Sequence, residues 1–442
     1  MNIRQYFMGL LLMGGMLGLG SCMSKPGILV PTNPIQANQL PKIYPDYIGV
    51  TVPATIAPLN FNVEDIDAES VNVVVEGSKI GELQSEGDYA NFDIDDWHHL
   101  LDQNRGGDLK VTVYVEKKGN WTQYKDFDIH VSPYALDDWG LTYRRIAPGY
   151  EVYGKLGIYQ RNLSNFEETA ILENTAAPGA CLNCHTANRT NPDQFTFHVR
   201  GDHGATLVSQ NGKREWLKAK NDSLKGSMVY PYWHPSGKYC AYSTNTTHQS
   251  FHAVKDERIE VFDQASDVFV YQPATHELIL DSLLMTRDHY ETYPVFSPDG
   301  KMLYFCSSTA EPIPSGYKDI KYNICKIGFD AITGKFGNQV DTIFNARELG
   351  KSATHPRPSY DGRYIMFTMS DGLYTRLYLA CIDDKGNVSK PFLLPQRNPK
   401  KYYDELLDSY NTPDFTSKPV ELDARAAGNE IMSDKRIPTK VR

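Results

Sequence analysis

The chain has 442 residues, 41% apolar and 22% charged, with 45 Lys and Arg against 54 Asp and Glu. A mean hydropathy of −0.45, with one long apolar run at the N-terminus, excludes a helical multi-span membrane protein. The net charge of −9 without a basic block leaves no footprint for nucleic acid. The length sets two or three domains, and 28 Tyr, 33 Gly and 26 Pro point to turn-rich β-structure.

Residues 1–21 carry one cation, Arg4, then an apolar stretch from Phe7 to Leu19, then Gly20-Ser21-Cys22. This is the layout of an export signal, too short in its apolar part to span comfortably. Leu19-Gly20-Ser21-Cys22 resembles the bacterial lipobox, which implies lipidation at Cys22 and a mature chain held on a membrane by its acyl chains. Met23 and Ser24 follow where an inner-membrane protein of that class carries Asp, so the outer membrane is expected. Residues 22–46 are rich in Pro, Gln and Asn and read as a tether.

From 47 to 132 the apolar period is two. Leu109, Val111, Val113 and Val115 alternate with Lys110, Thr112, Tyr114 and Glu116, and Phe127, Ile129 and Val131 resume after a Lys-Lys-Gly-Asn turn. The pattern predicts an Ig-like β-sandwich, interrupted by one short helix over Asp95–Leu101.

Three repeats follow. Tyr230-Pro-Tyr-Trp-His-Pro-Ser-Gly237-Lys, Tyr293-Pro-Val-Phe-Ser-Pro-Asp-Gly300-Lys and His355-Pro-Arg-Pro-Ser-Tyr-Asp-Gly362-Arg each open a turn and a strand. A second hairpin-like segment follows each one, and four strands per repeat make a propeller blade. The pattern resembles the WD40-like repeat of TolB-type β-propellers. That resemblance implies a propeller over 145–420 with five to seven blades, six being favoured by spacing. Residues 145–228 have strand character without the repeat. Residues 421–442 are expected to be a loosely packed tail, after a short helix at Asp404–Tyr410.

Cys181-Leu-Asn-Cys184-His185 is the C-x-x-C-H signature of covalent c-type haem attachment. Two thiols at this spacing reach the two vinyl groups of one haem, and the adjacent imidazole reaches the iron. At this composition the motif arises by chance about 0.003 times in such a chain. A zinc site using Cys181, Cys184, His185 and a distant His, or a C-x-x-C disulfide, are the alternatives. Candidates for a distal iron ligand are His198, His203, Met228 and His234; Met would raise the potential and His would lower it. Cys240, Cys306, Cys325 and Cys381 fall within strands of the repeats and read as fillers, which sets Cys181 and Cys184 apart as an insertion outside the repeat framework.

The stretches Gly149–Tyr153 and Gly157–Arg161, with the C-x-x-C-H and Tyr230–Pro235, resemble exported TolB-like lipoproteins of Bacteroidota with one such motif. Two function classes are expected. The first is a lipid-anchored propeller with one covalent haem, acting in periplasmic electron transfer or redox sensing with an envelope protein partner. The second is a non-catalytic scaffold for an envelope protein or glycan, with the C-x-x-C-H as a zinc or disulfide site. A hydrolase or lyase using Asp256, Glu257 and Asp288 has no spacing in its favour, and no catalytic residues are assigned.

Overall fold

The computed structural model describes residues 30–64, 67–137, 139–146, 155–251, 259–371, 375–394 and 414–442. Cys22 and Asp404–Tyr410 lie outside the described residues, as do Asp256 and Glu257. The described residues fall into two compact units, 30–51 with 59–131 and 52–58 with 132–442. None of their helices is long and apolar enough to cross a membrane.

The first unit is β-rich. Its main sheet runs Ile35–Gln36, Asn120–Gln123, Asp108–Lys117, Ser70–Gly77, Glu82–Gly87, with Phe127–Val131 on the same edge of Asp108–Lys117. A second sheet has only two strands, Ile43–Tyr44 and Asn62–Val63, so the expected sandwich is lopsided. Residues 35–44, read as tether, thus supply two short strands. Helix Ile94–Gln103 packs on the strands at Ser70–Gly77 and Glu82–Gly87. It starts where Asp93 accepts from the N–H groups of Asp95 and Asp96, and it buries Trp97, Leu100 and Leu101, which share one face.

The second unit is a propeller of five four-stranded antiparallel blades. Blade 2 is Cys181–Asn188, Asn191–Arg200, Ala205–Gln210 and Lys213–Lys218. Blade 3 spans Val229–Trp233 to Glu277–Ile279, blade 4 His289–Phe296 to Lys335–Phe344, and blade 5 Ser352–Pro358 to Phe392–Leu393. Blade 1 takes Gly140–Ile146, Leu156–Asn162 and Glu168–Glu173 from its own stretch, and its inner strand Asp414–Thr416 from the C-terminal region. Five is within the expected range and one fewer than spacing favoured, because consecutive repeats are long throughout, with the turn glycines Gly237, Gly300 and Gly362 spaced 63 and 62 residues apart.

Four apolar clusters fill the spaces between consecutive blades from 1 to 5. Cys240, Cys306 and Cys325 are buried in three of them, as fillers; Cys381 is exposed at a strand end. The turn glycines Gly237, Gly300 and Gly362 have φ of 70°, 74° and 72°, a region that disfavours a side chain.

The C-terminal residues are ordered into the fold, which corrects the expected loose tail. Helix Ala424–Met432 places Ala427 and Ile431 in the cluster between blades 1 and 2. Ile437–Pro438 then pairs in parallel with the outer strand of blade 2, and Lys440–Val441 with that of blade 3. These strands cover edges that would otherwise present unpaired backbone groups.

Candidate functional site

The C-x-x-C-H is no insertion. It forms most of the inner strand of blade 2, and its bulge is that of the other blades. Strand pairing skips between Asn183 and Thr186, between Val229 and Tyr232, between Thr292 and Val295, and between Thr354 and Arg357. The first skipped residue is in each case left-handed: Cys184, Tyr230, Tyr293 and His355 have φ of 54°, 49°, 52° and 54°. The second is His185 in blade 2 and Pro231, Pro294 and Pro356 in the others. A bulge leaves its extra residue outside the ladder and re-aims the side chain, which is why proline is tolerated there.

The bulges of blades 2 to 5 meet at one cavity of about 40 Å³, to which blade 1 adds Asp414. The rings of Tyr230 and Tyr293 are 4.6 Å apart, and those of Tyr293 and His355 4.1 Å. Arg357 also lines the cavity; its guanidinium lies over the Tyr232 ring at 5.4 Å and makes no hydrogen bond or ion pair among the described residues.

His185 is 5% exposed, and neither ring nitrogen completes a hydrogen bond. Burial lowers its pKa, while the Asp414 carboxylate and the nearby Thr142 backbone act the other way. Asp414 is pushed up by burial, against the pull of His185 and Arg357, and its Oδ2 has no partner. Burial also lowers His355, to about 4, helped by Arg357; its Nδ1 meets Thr354 Oγ1 at 3.0 Å. The Cys184 thiol is raised by burial despite Arg200 and Arg144, so it is held as a thiol.

Cys181 is placed differently. Its Sγ accepts from Arg144 Nη2 at 3.3 Å, and the side chain packs against the core between blades 1 and 2. It does not line the cavity. Both cysteines are free thiols.

None of the four distal candidates lines the cavity either. His198 is buried, its Nδ1 paired with Thr206 Oγ1 at 2.9 Å, and burial lowers its pKa to about 3. His203 meets Asp434 Oδ1 at 2.9 Å. Met228 is fully buried between blades 2 and 3. His234 joins two blades: Nδ1 meets Ser236 Oγ at 2.7 Å and Nε2 meets the Gly300 carbonyl at 3.0 Å.

These placements do not fit a covalent haem. Both thiols must face one cavity to form two thioethers to one ring system, and cofactor pockets have volumes of roughly 300–1,000 Å³. Nor do the described residues contain a group of three His, Cys, Asp or Glu side chains arranged to hold a metal ion.

Arg357 and Asp414 escaped the sequence reading. The signal for Arg357 was in the repeat itself: it is a charge where the other copies have Tyr232 and Val295. Asp414 has no local signal, since its strand pairs with residues some 270 positions earlier.

No family model matches the chain, and no curated protein matches it. Among solved structures it is similar to a candidate TolB from Agrobacterium tumefaciens, at 13% identity over 73% of this chain and 89% of that one, TM-score 0.35. An oligogalacturonate lyase in complex with manganese is similar at 13% identity over 62% and 74%, TM-score 0.31. A quinoprotein alcohol dehydrogenase-like protein from Bacteroides thetaiotaomicron follows at 10% over 80% and 96%, TM-score 0.28. Likenesses this distant assign no activity; among the described residues, the strand topology defines the second unit as a five-bladed β-propeller.

Proposed function

We propose that the protein is a non-catalytic binding scaffold of the bacterial cell envelope, lipid-anchored through Cys22, with the propeller axis as its ligand site. The observation that carries this reading is the convergence of all five blades on one cavity lined by unpaired polar groups. Neither ring nitrogen of His185 nor Asp414 Oδ2 completes a hydrogen bond, and Arg357, which faces Asp414, makes no hydrogen bond or ion pair among the described residues. Buried polar groups are normally satisfied, so a set of unsatisfied ones around a cavity marks a place for a ligand. In this reading Cys184 and His185 line the site as a thiol and a neutral imidazole, and Cys181 is part of the packing between blades.

A covalent-haem electron carrier is the second reading, and one observation favours it: the two free nitrogens of His185. The test is to express the full chain with the haem-maturation machinery and record its spectrum in alkaline pyridine. The scaffold reading expects no haem band. A stoichiometric band would overturn it.

A further inference from the structure

We propose that the axial cavity binds a carboxylate group, gripped by Arg357 and His185; this rests on the scaffold reading above. The size of the cavity limits the group. At about 40 Å³ it has room for a small polar group such as a carboxylate and too little for a sugar ring.

The chemistry of the lining selects the same group. A guanidinium presents parallel N–H donors that match the two oxygens of a carboxylate. Arg357 offers its donors to no protein acceptor among the described residues and is held in place by the Tyr232 ring beneath it. His185 is 95% buried and neither ring nitrogen completes a hydrogen bond, with the Thr142 backbone close to the ring, so an N–H is available to the same oxygen pair. Asp414 is the one acidic group on the cavity. Arg357 and His185 face it, so it is not left as a bare repelling charge. Tyr230 and Tyr293 close the site with aromatic walls.

The test uses the full chain, purified from cells without haem-maturation machinery, and titrates acetate by calorimetry with acetamide and sulfate as controls. Acetate is expected to bind saturably; acetamide, which lacks the charge, and sulfate, which is larger, are expected to bind at least about tenfold more weakly. Arg357→Gln should weaken acetate by about tenfold or more. Arg357→Lys keeps the charge without the fork and should fall between, so it carries the test if Arg357→Gln does not fold. Equal binding by wild type and Arg357→Lys, equal binding of acetamide, or no acetate binding at all overturns the proposal. N-acetylglycine and glucuronate then separate a peptide-like source of the carboxylate from a uronic acid. A chain that carries haem when matured refutes the scaffold reading, whereas a haem-free chain that ignores acetate refutes the carboxylate alone.

Discussion

Cys184 and Tyr230 are structural equivalents. Each opens the bulge of its blade's inner strand in the left-handed region, at φ 54° and 49°, and each is set just before the residue that resumes the pairing two positions on. The cysteine of the C-x-x-C-H therefore belongs to the same series as the aromatic residues that line the axis.

It follows that His185 stands where three other blades have proline. His185→Pro should fold, with a stability change within about 1 kcal/mol, because the bulge asks for no ladder N–H at that position. Leu182→Pro, at a fully buried position paired with Val199, should cost about 3 kcal/mol or more. Urea midpoints of the two variants check this, and equal losses would contradict the assignment.

Gly300 and His234 lock blades 3 and 4 together. A Cβ on Gly300 would run into the His234 ring, and φ there is +74°. Gly300→Ala should cost about 1–3 kcal/mol or more from backbone strain with the added clash. In a His234→Ala background the clash is gone and only the strain remains. The double-mutant cycle should show a coupling of about 0.5 kcal/mol or more.

Glu291 is 2% exposed; its Oε1 accepts from Thr286 at 2.6 Å and its Oε2 has no partner. Burial raises its pKa to about 7, against the Thr286 hydrogen bonds. The folded state thus holds this proton more tightly than the unfolded state. The resulting stability is complete below the ordinary carboxyl pKa and is lost as pH rises towards 7 and beyond. Glu291→Gln should match wild type near pH 4.5 and exceed it at pH 8 by about 3 kcal/mol at most. Denaturation at the two pH values checks this; a gap of the same size at both would contradict it.

The C-terminal residues close the propeller in two layers. Truncation after Met432 removes the short parallel strands together with the His203–Asp434 pair and the Arg436 hydrogen bonds to the His203 and Ile431 carbonyls, and should lower the melting temperature modestly while leaving a folded propeller. Truncation before Asp414 removes the inner strand of blade 1 and the helix that carries Ala427 and Ile431. That chain should lose its cooperative melt and elute as aggregates on gel filtration.

The repeats that include Gly237, Gly300 and Gly362 were legible because their signal is local: a glycine turn followed by an apolar strand. The register confirms that alignment, with Cys240 opposite Trp233 as Leu303 is opposite Phe296. Blade 2 was hidden because its turn uses Arg189 at φ 56° in place of glycine and comes two residues sooner after the bulge. Blade 1 was hidden because its inner strand arrives from residues 414–416. The last strands are two residues long, too short to show a period. At the site, Cys184 and His185 were found through their motif, but their meaning depended on what the other blades bring to the same axis. Arg357 shows in the sequence only as a charge at a repeat position, and Asp414 reaches the axis by tertiary placement alone.

The most direct measurement is mass spectrometry of the tryptic peptide Asn162–Arg189 from chain exported alongside haem-maturation machinery. The scaffold account predicts a peptide with both Cys181 and Cys184 free, each taking one iodoacetamide group after denaturation. A peptide carrying haem through those two sulfurs would contradict it.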